Sequence, residues 1–150
     1  MYDVRFGQPI NGKLLVLSRS AAADFTNDKP WACISIGSED GDWPKINRCQ
    51  LVDILQVSFL DLDRLPESYD GNGILINDTH AKLIWDFVDS VWDKVDLLVI
   101  HCLAGACRSP AVAAAIAKIK YGDDSLYFKS YLPNALVYRT MMEYHLLWKQ

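Results

Sequence analysis

The sequence predicts an α/β fold of three layers, with a central, mostly parallel sheet flanked by helices. Two observations carry this. Short apolar, β-branched runs alternate along the chain with segments of helical periodicity, the order that builds parallel sheets. One of those runs, Leu97-Leu98-Val99-Ile100, is apolar throughout, as a central strand covered on both faces must be. The chain's 150 residues suffice to bury one real core. No repeat, low-complexity stretch or linker interrupts it, so residues 1–150 are expected to form one domain. In such a fold the ligand crevice lies at the carboxyl ends of the strands.

Taken in order, Lys13 to Ser18 reads as a short buried strand, and Ser18 to Ala23 as a cap and helical turn. Trp31 to Ile36 is a second strand, followed by a loop over residues 37–47 that carries glycines, acids and a proline. Ile54 to Phe59 is a third strand, which runs into the acidic loop Leu60-Asp61-Leu62-Asp63-Arg64-Leu65-Pro66-Glu67 and the irregular Gly71-Asn72-Gly73. Asn77 or Asp78 caps a helix whose apolar face is Ala81, Ile84, Phe87, Val88, Val91 and Trp92. After the Leu97–Ile100 strand comes the alanine-rich helix Ala111 to Lys120, broken by Gly122-Asp123-Asp124. A short helix over Leu126 to Lys129 and a last one opened by Pro133-Asn134 complete the order. The final helix is expected to bury the stripe Leu136, Val137, Thr140, Met141, Tyr144 and Leu147.

Composition narrows the function classes. Apolar residues at 51% with 23% charged are ordinary for a soluble globular protein. A net charge of −4 argues against nonspecific nucleic-acid or membrane binding, which needs a basic field. Four unevenly spaced cysteines do not form a secreted disulfide framework. No signal pattern opens the chain, and no apolar run approaches the ~20 residues that span a bilayer. A reducing cytoplasm is the expected location. No Cys/His spacing matches a metal site, and no cofactor is expected.

The chemistry concentrates in His101-Cys102-Leu103-Ala104-Gly105-Ala106-Cys107-Arg108-Ser109-Pro110. An apolar strand, a tight loop and a helix start place a thiol at the strand's end. Successive N–H groups of Leu103, Ala104, Gly105, Ala106, Cys107 and Arg108, with the positive end of the helix, suit a phosphate dianion. The same groups favour the thiolate of Cys102. Arg108 offers a forked pair of donors to two phosphate oxygens, which lysine cannot match. Gly105 lets the loop turn. Ser109 has two open roles, a hydroxyl bond to the thiolate or the helix N-cap. His101 is a poor base for its neighbour, since adjacent strand side chains face opposite ways.

A bare Cys-x5-Arg pair is a weak signal. With His before the Cys, Gly three residues after it and Ser after the Arg, the segment resembles the His-Cys-x2-Gly-x2-Arg-Ser/Thr signature of cysteine-dependent protein tyrosine phosphatases. Ala104-Gly105 and Arg108-Ser109 lean toward the small dual-specificity-like branch, and the whole chain is similar to short bacterial tyrosine phosphatase-like proteins. The resemblance implies a dual-specificity phosphatase-like fold and a phosphocysteine mechanism. It also implies that His101 fixes the loop through hydrogen bonds. Such an enzyme needs a general acid from another loop. Phe59-Leu60-Asp61 resembles the Phe-x-Asp acid loop of small members, with Asp63 as a competitor. Asp42 before Trp43-Pro44 echoes the Trp-Pro-Asp loop of larger members, but Lys45 follows the proline and the match fails.

Cys107 departs from the family's small polar residue. It is expected either as a small buried residue facing the next helix or as a resolving thiol for Cys102. Cys33 and Cys49 read as structural, His80 as packed or hydrogen-bonded, and Asn134 as the cap of the last helix. The dual-specificity phosphatases carry a similar Pro-Asn there. The expected partner is a phosphorylated protein or small phosphomonoester. Loop positions without lysine disfavour polyanionic inositol phosphates. A non-catalytic phospho-group binding module and a rhodanese-like sulfurtransferase are the competing readings.

Overall fold

A computed structural model describes residues 12–39 and 43–149 of the chain. Four strands, β1 (Leu14–Ser18), β2 (Trp31–Gly37), β3 (Leu51–Ser58) and β4 (Leu97–Cys102), form one sheet in the order β1-β4-β2-β3. Every pairing is parallel. The two inner strands, β2 and β4, are buried at every position, which is why they read as apolar runs broken only by Ser35 and His101. Registers Ser18↔Cys102 and Ser35↔His101 bring the carboxyl ends of β1, β2 and β4 to one edge, where Cys102 emerges.

The helices are α1 (Arg19–Asp24), α2 (Asp78–Val91), α3 (Arg108–Tyr121), α4 (Ser125–Ser130) and α5 (Ala135–Trp148). Alternation divides the sheet residues. Leu98, Ile100 and Cys102 join the larger core, under the faces of α2, α3 and α5, while Leu97 and Val99 join Leu15, Leu17, Phe25, Trp31 and Ile46 on the other side. α3 is buried without interruption from Arg108 to Ala117. Its alanines explain the position: only small side chains let a helix run between the sheet and further helices.

The caps follow the sequence. Asn77 Oδ1 accepts from the N–H of Thr79 (2.9 Å) and of His80 (3.3 Å), and Asn77 N–H donates to His80 Nδ1 (3.0 Å), a reciprocal capping box. His80 also packs on the Phe59 ring, so it is a hydrogen-bonded, packed histidine as expected. Gly122, at φ 81°, ends α3.

Three details differ from expectation. β3 begins at Leu51, three residues early. Trp85 belongs to the buried face of α2, and its Nε1 donates to the Met141 carbonyl (2.9 Å). In α5 the expected Leu136, Val137, Met141 and Tyr144 pack on the core, but beyond them the contact with α2 runs through His145, against the Trp85 ring, and the C-cap Lys149, whose Nζ lies 2.5 Å from Asp89. Leu147 therefore turns away and is 70% exposed. Among the described residues no helix is long and apolar enough to cross a membrane.

Candidate active site

The loop between β4 and α3 gathers the expected residues around one sulfur. Cys102 is 2% exposed, and its Sγ lies 3.2 Å from Ser109 Oγ and accepts the Gly105 N–H at 3.3 Å. Burial pushes this thiol up, but the Ser109 hydroxyl and backbone, the Gly105 amide and the Arg108 charge outweigh it and hold it below its ordinary value. The N-cap of α3 is Cys107, which makes no side-chain capping bond. Ser109 sits inside the first turn, so of its two candidate roles the geometry brings the hydroxyl to the thiol and leaves the cap to another residue.

Loop carbonyls are committed to neighbours. Leu103 C=O accepts from Arg19 N–H (3.0 Å), Ala106 C=O from Leu132 N–H (3.1 Å), and Cys107 C=O from Asn134 N–H (2.9 Å). With those carbonyls engaged by neighbours, the Gly105 N–H turns in to the Cys102 sulfur, and the helix start has no side-chain cap. Gly105 has φ 70°, and a Cβ there would meet the backbone of Leu17 and Ser18 at 2.7–2.8 Å. Both the turn and the close approach to β1 require glycine.

Arg108 is 4% exposed and anchored from below. Its Nη1 donates to Phe59 C=O (2.9 Å), Ser38 Oγ (3.1 Å) and Gly37 C=O (3.2 Å), at the ends of β2 and β3. Its Nε is buried, with no hydrogen-bond partner among the described residues. His101 Nε2 meets the buried Ser35 Oγ at 2.5 Å, and Nδ1 lies 3.5 Å from the Cys102 carbonyl. A ring donating from Nδ1 accepts from the Ser35 hydroxyl. Burial, opposed by the Cys102 carbonyl and aided by the charges of Arg19 and Arg108, lowers His101 to about 4, so it stays neutral.

Two aspartates can be compared directly. Asp61 Oδ1 accepts from Asn134 Nδ2 at 3.0 Å, which brings it to the rim of the loop. Asp63, two residues on, is exposed and no bond to the loop places it there. Asp42 lies outside the described residues. Cys107 is half-buried rather than packed under α3; burial first, then the charge and hydrogen bond of Asp61 and the proximity of Cys102, raise its thiol. Cys33, inside β2, is pushed up to about 12 by burial, and Cys49 is exposed. Among the described residues no three His, Cys, Asp or Glu side chains cluster to hold a metal ion.

Sequence reading missed Ser35, Ser38 and the backbone anchors Gly37 and Phe59. A lone serine within an otherwise apolar strand was the available signal for Ser35. A larger cavity of about 390 Å³, lined by Ser38, Ser58, Asn72 and His80 among others, adjoins the site without containing Cys102 or Asp61.

No protein-family model matches the chain, and no curated protein matches it in sequence. Solved structures do. A human tyrosine phosphatase-like serine/threonine/tyrosine-interacting protein superposes with TM-score 0.65 at 18% identity, over 92% of this chain and 94% of that one. Human DUSP28 gives 0.65 at 14% identity, over 94% and 96%. PTPMT1, solved in complex with PI(5)P, gives 0.60 at 12% identity, over 93% and 94%. The chain has the fold of the dual-specificity phosphatases. In that fold Cys102 sits at the carboxyl edge of the parallel sheet, as the topology alone predicts for a ligand site.

Proposed function

We propose that the protein is a cysteine-dependent phosphatase. It hydrolyses phosphate monoesters of phosphotyrosine, with phosphoserine and phosphothreonine as further substrates, through a phosphocysteine intermediate. The observation that carries this reading is the buried Cys102 thiol, held toward its thiolate by Ser109 and Gly105 at the foot of the loop between β4 and α3.

In the first step the Cys102 thiolate attacks phosphorus in line. The P–O bond to the substrate breaks, and the leaving oxygen takes a proton from Asp61. Equatorial oxygens are held by the loop amides of Leu103 to Arg108 and by the Arg108 fork, whose Nη1 anchoring leaves the rest of the guanidinium for phosphate. In the second step water attacks the phosphocysteine, Asp61 takes its proton, and the thiolate leaves toward the Ser109 hydroxyl. A neutral His101 fixes the Cys102 backbone and takes no proton in this scheme.

Exposed apolar side chains stand near the loop, Leu132 at 78%, Leu103 at 66% and Leu62 at 39%, and no lysine enters it. Arg19, beside Leu103 and Arg108, is the further cation there, and together they suit one phosphate on an apolar or aromatic carrier. A working thiolate also suits a reducing cytoplasm, the proposed location.

The test is hydrolysis of a chromogenic aryl phosphate, without added metal, by wild type, Cys102→Ser and Asp61→Asn. The expected result is turnover abolished by Cys102→Ser and cut about 100-fold or more by Asp61→Asn. Absence of turnover by folded wild type would overturn the proposal. Phosphopeptide binding without turnover would instead favour a phospho-group binding module, a reading the tyrosine phosphatase-like interacting protein among its structural neighbours keeps in view.

A further inference from the structure

Asn134 stands where three segments meet. Its backbone N–H donates to the Cys107 carbonyl at 2.9 Å, at the end of the Cys102 loop. Its Oδ1 accepts the Val137 N–H at 3.0 Å and caps α5. Its Nδ2 donates to Asp61 Oδ1 at 3.0 Å and reaches the Leu62 carbonyl at 3.4 Å. Capping accounts for Oδ1 alone, and Ser, Thr or Asp would cap as well. The amide donor is surplus to the helix, and it is aimed at the one carboxylate the reaction calls for.

That carboxylate needs a tether. Asp61 is exposed and follows β3 on a stretch without regular structure, so no strand ladder or helix fixes it. A general acid works only within about 2.6–3.2 Å of the oxygen it protonates. A displacement of about 1 Å can cost about 100-fold in rate. With Oδ1 committed to the amide, the proton delivered to the leaving group rides on Oδ2.

From this geometry we infer that Asn134 is a positioning residue of the reaction: its side-chain amide holds Asp61 over the Cys102 loop. The inference rests on the reading of Asp61 as general acid.

Asn134→Ser and Asn134→Asp keep a helix cap and remove the amide donor that reaches Asp61, and circular dichroism checks that each folds. Phenyl phosphate, with a basic leaving group, is compared with 2,4-dinitrophenyl phosphate, which leaves without a proton. The expected result is a fall of about 10- to 100-fold in kcat on phenyl phosphate and less than about threefold on the activated ester. In an Asp61→Asn background the same substitutions are expected to add nothing. Backbone amide relaxation by NMR is expected to show residues 60–65 gaining motion in both variants. Equal losses on the two esters, full additivity with Asp61→Asn, or unchanged relaxation would overturn the inference. Wild type that fails to hydrolyse either ester would overturn the phosphatase reading, and relaxation would still decide the tether.

Discussion

Removing the hydroxyl of Ser109 isolates the chemistry of the thiol. Ser109→Ala keeps a good helix former in the first turn of α3 and deletes only the group 3.2 Å from Cys102 Sγ. A hydrogen bond to a charged group contributes about 1.5–3 kcal/mol. Its loss raises the Cys102 thiol back toward the ordinary 9.0, because burial of this thiol is then opposed only by the backbone amides and Arg108. The assay is the pH dependence of iodoacetamide alkylation followed by peptide mass, which separates Cys102 from the exposed Cys49. Cys33, pushed up to about 12, should stay silent over the range. At neutral pH alkylation of Cys102 is expected to slow about tenfold or more, with its midpoint displaced upward. Turnover should also change character: with the leaving thiolate less stabilised, phosphoenzyme accumulates and a burst of product precedes a slower steady state. A midpoint that stays where wild type has it would refute the claim that Ser109 holds the thiolate.

Two further outcomes follow from the same environment. His101 is lowered by burial to about 4 from an ordinary 6.5, so between those values the unfolded chain binds a proton that the folded chain refuses, and stability falls as pH drops through that window. Urea unfolding should lose about 2 kcal/mol from this group between pH 7.5 and 5, and an NMR titration of the ring near 6.5 in the folded state would contradict it. Gly105→Ala sets a Cβ 2.7–2.8 Å from the backbone of Leu17 and Ser18 at φ 70°. With no flexible side chain there to yield, urea unfolding should show a loss of about 2–5 kcal/mol. Activity on an aryl phosphate should fall at least about tenfold, and an unchanged midpoint would show that the loop does not need glycine.

What could be read from the chain divides by the reach of the interaction. β2 and β4 were legible because burial on both faces leaves each run apolar but for a single polar residue, Ser35 or His101, and Cys102, Gly105 and Arg108 because they stand within seven consecutive residues of one loop. The α5 stripe held through Leu136, Val137, Met141 and Tyr144 and failed only at its end, at Leu147. Spacings of three and four both satisfy a helix, and only the Trp85 and Asp89 contacts from α2 carry the buried face on through His145 and Lys149 instead. The anchors of Arg108 were illegible in principle. They are the carbonyls of Gly37 and Phe59, groups every residue possesses, made specific only by where parallel strands end. The placing of Asp61 has the same character. The Phe-x-Asp pattern favoured Asp61 over Asp63, but what ties Asp61 to the Cys102 loop is an amide 73 positions away whose capping role already explained its presence. A thiol whose partners lie in its own loop thus announces itself in sequence, whereas Asp61, which reaches that loop from another segment, is held there by Asn134, of whose two bonds the local pattern discloses only the cap.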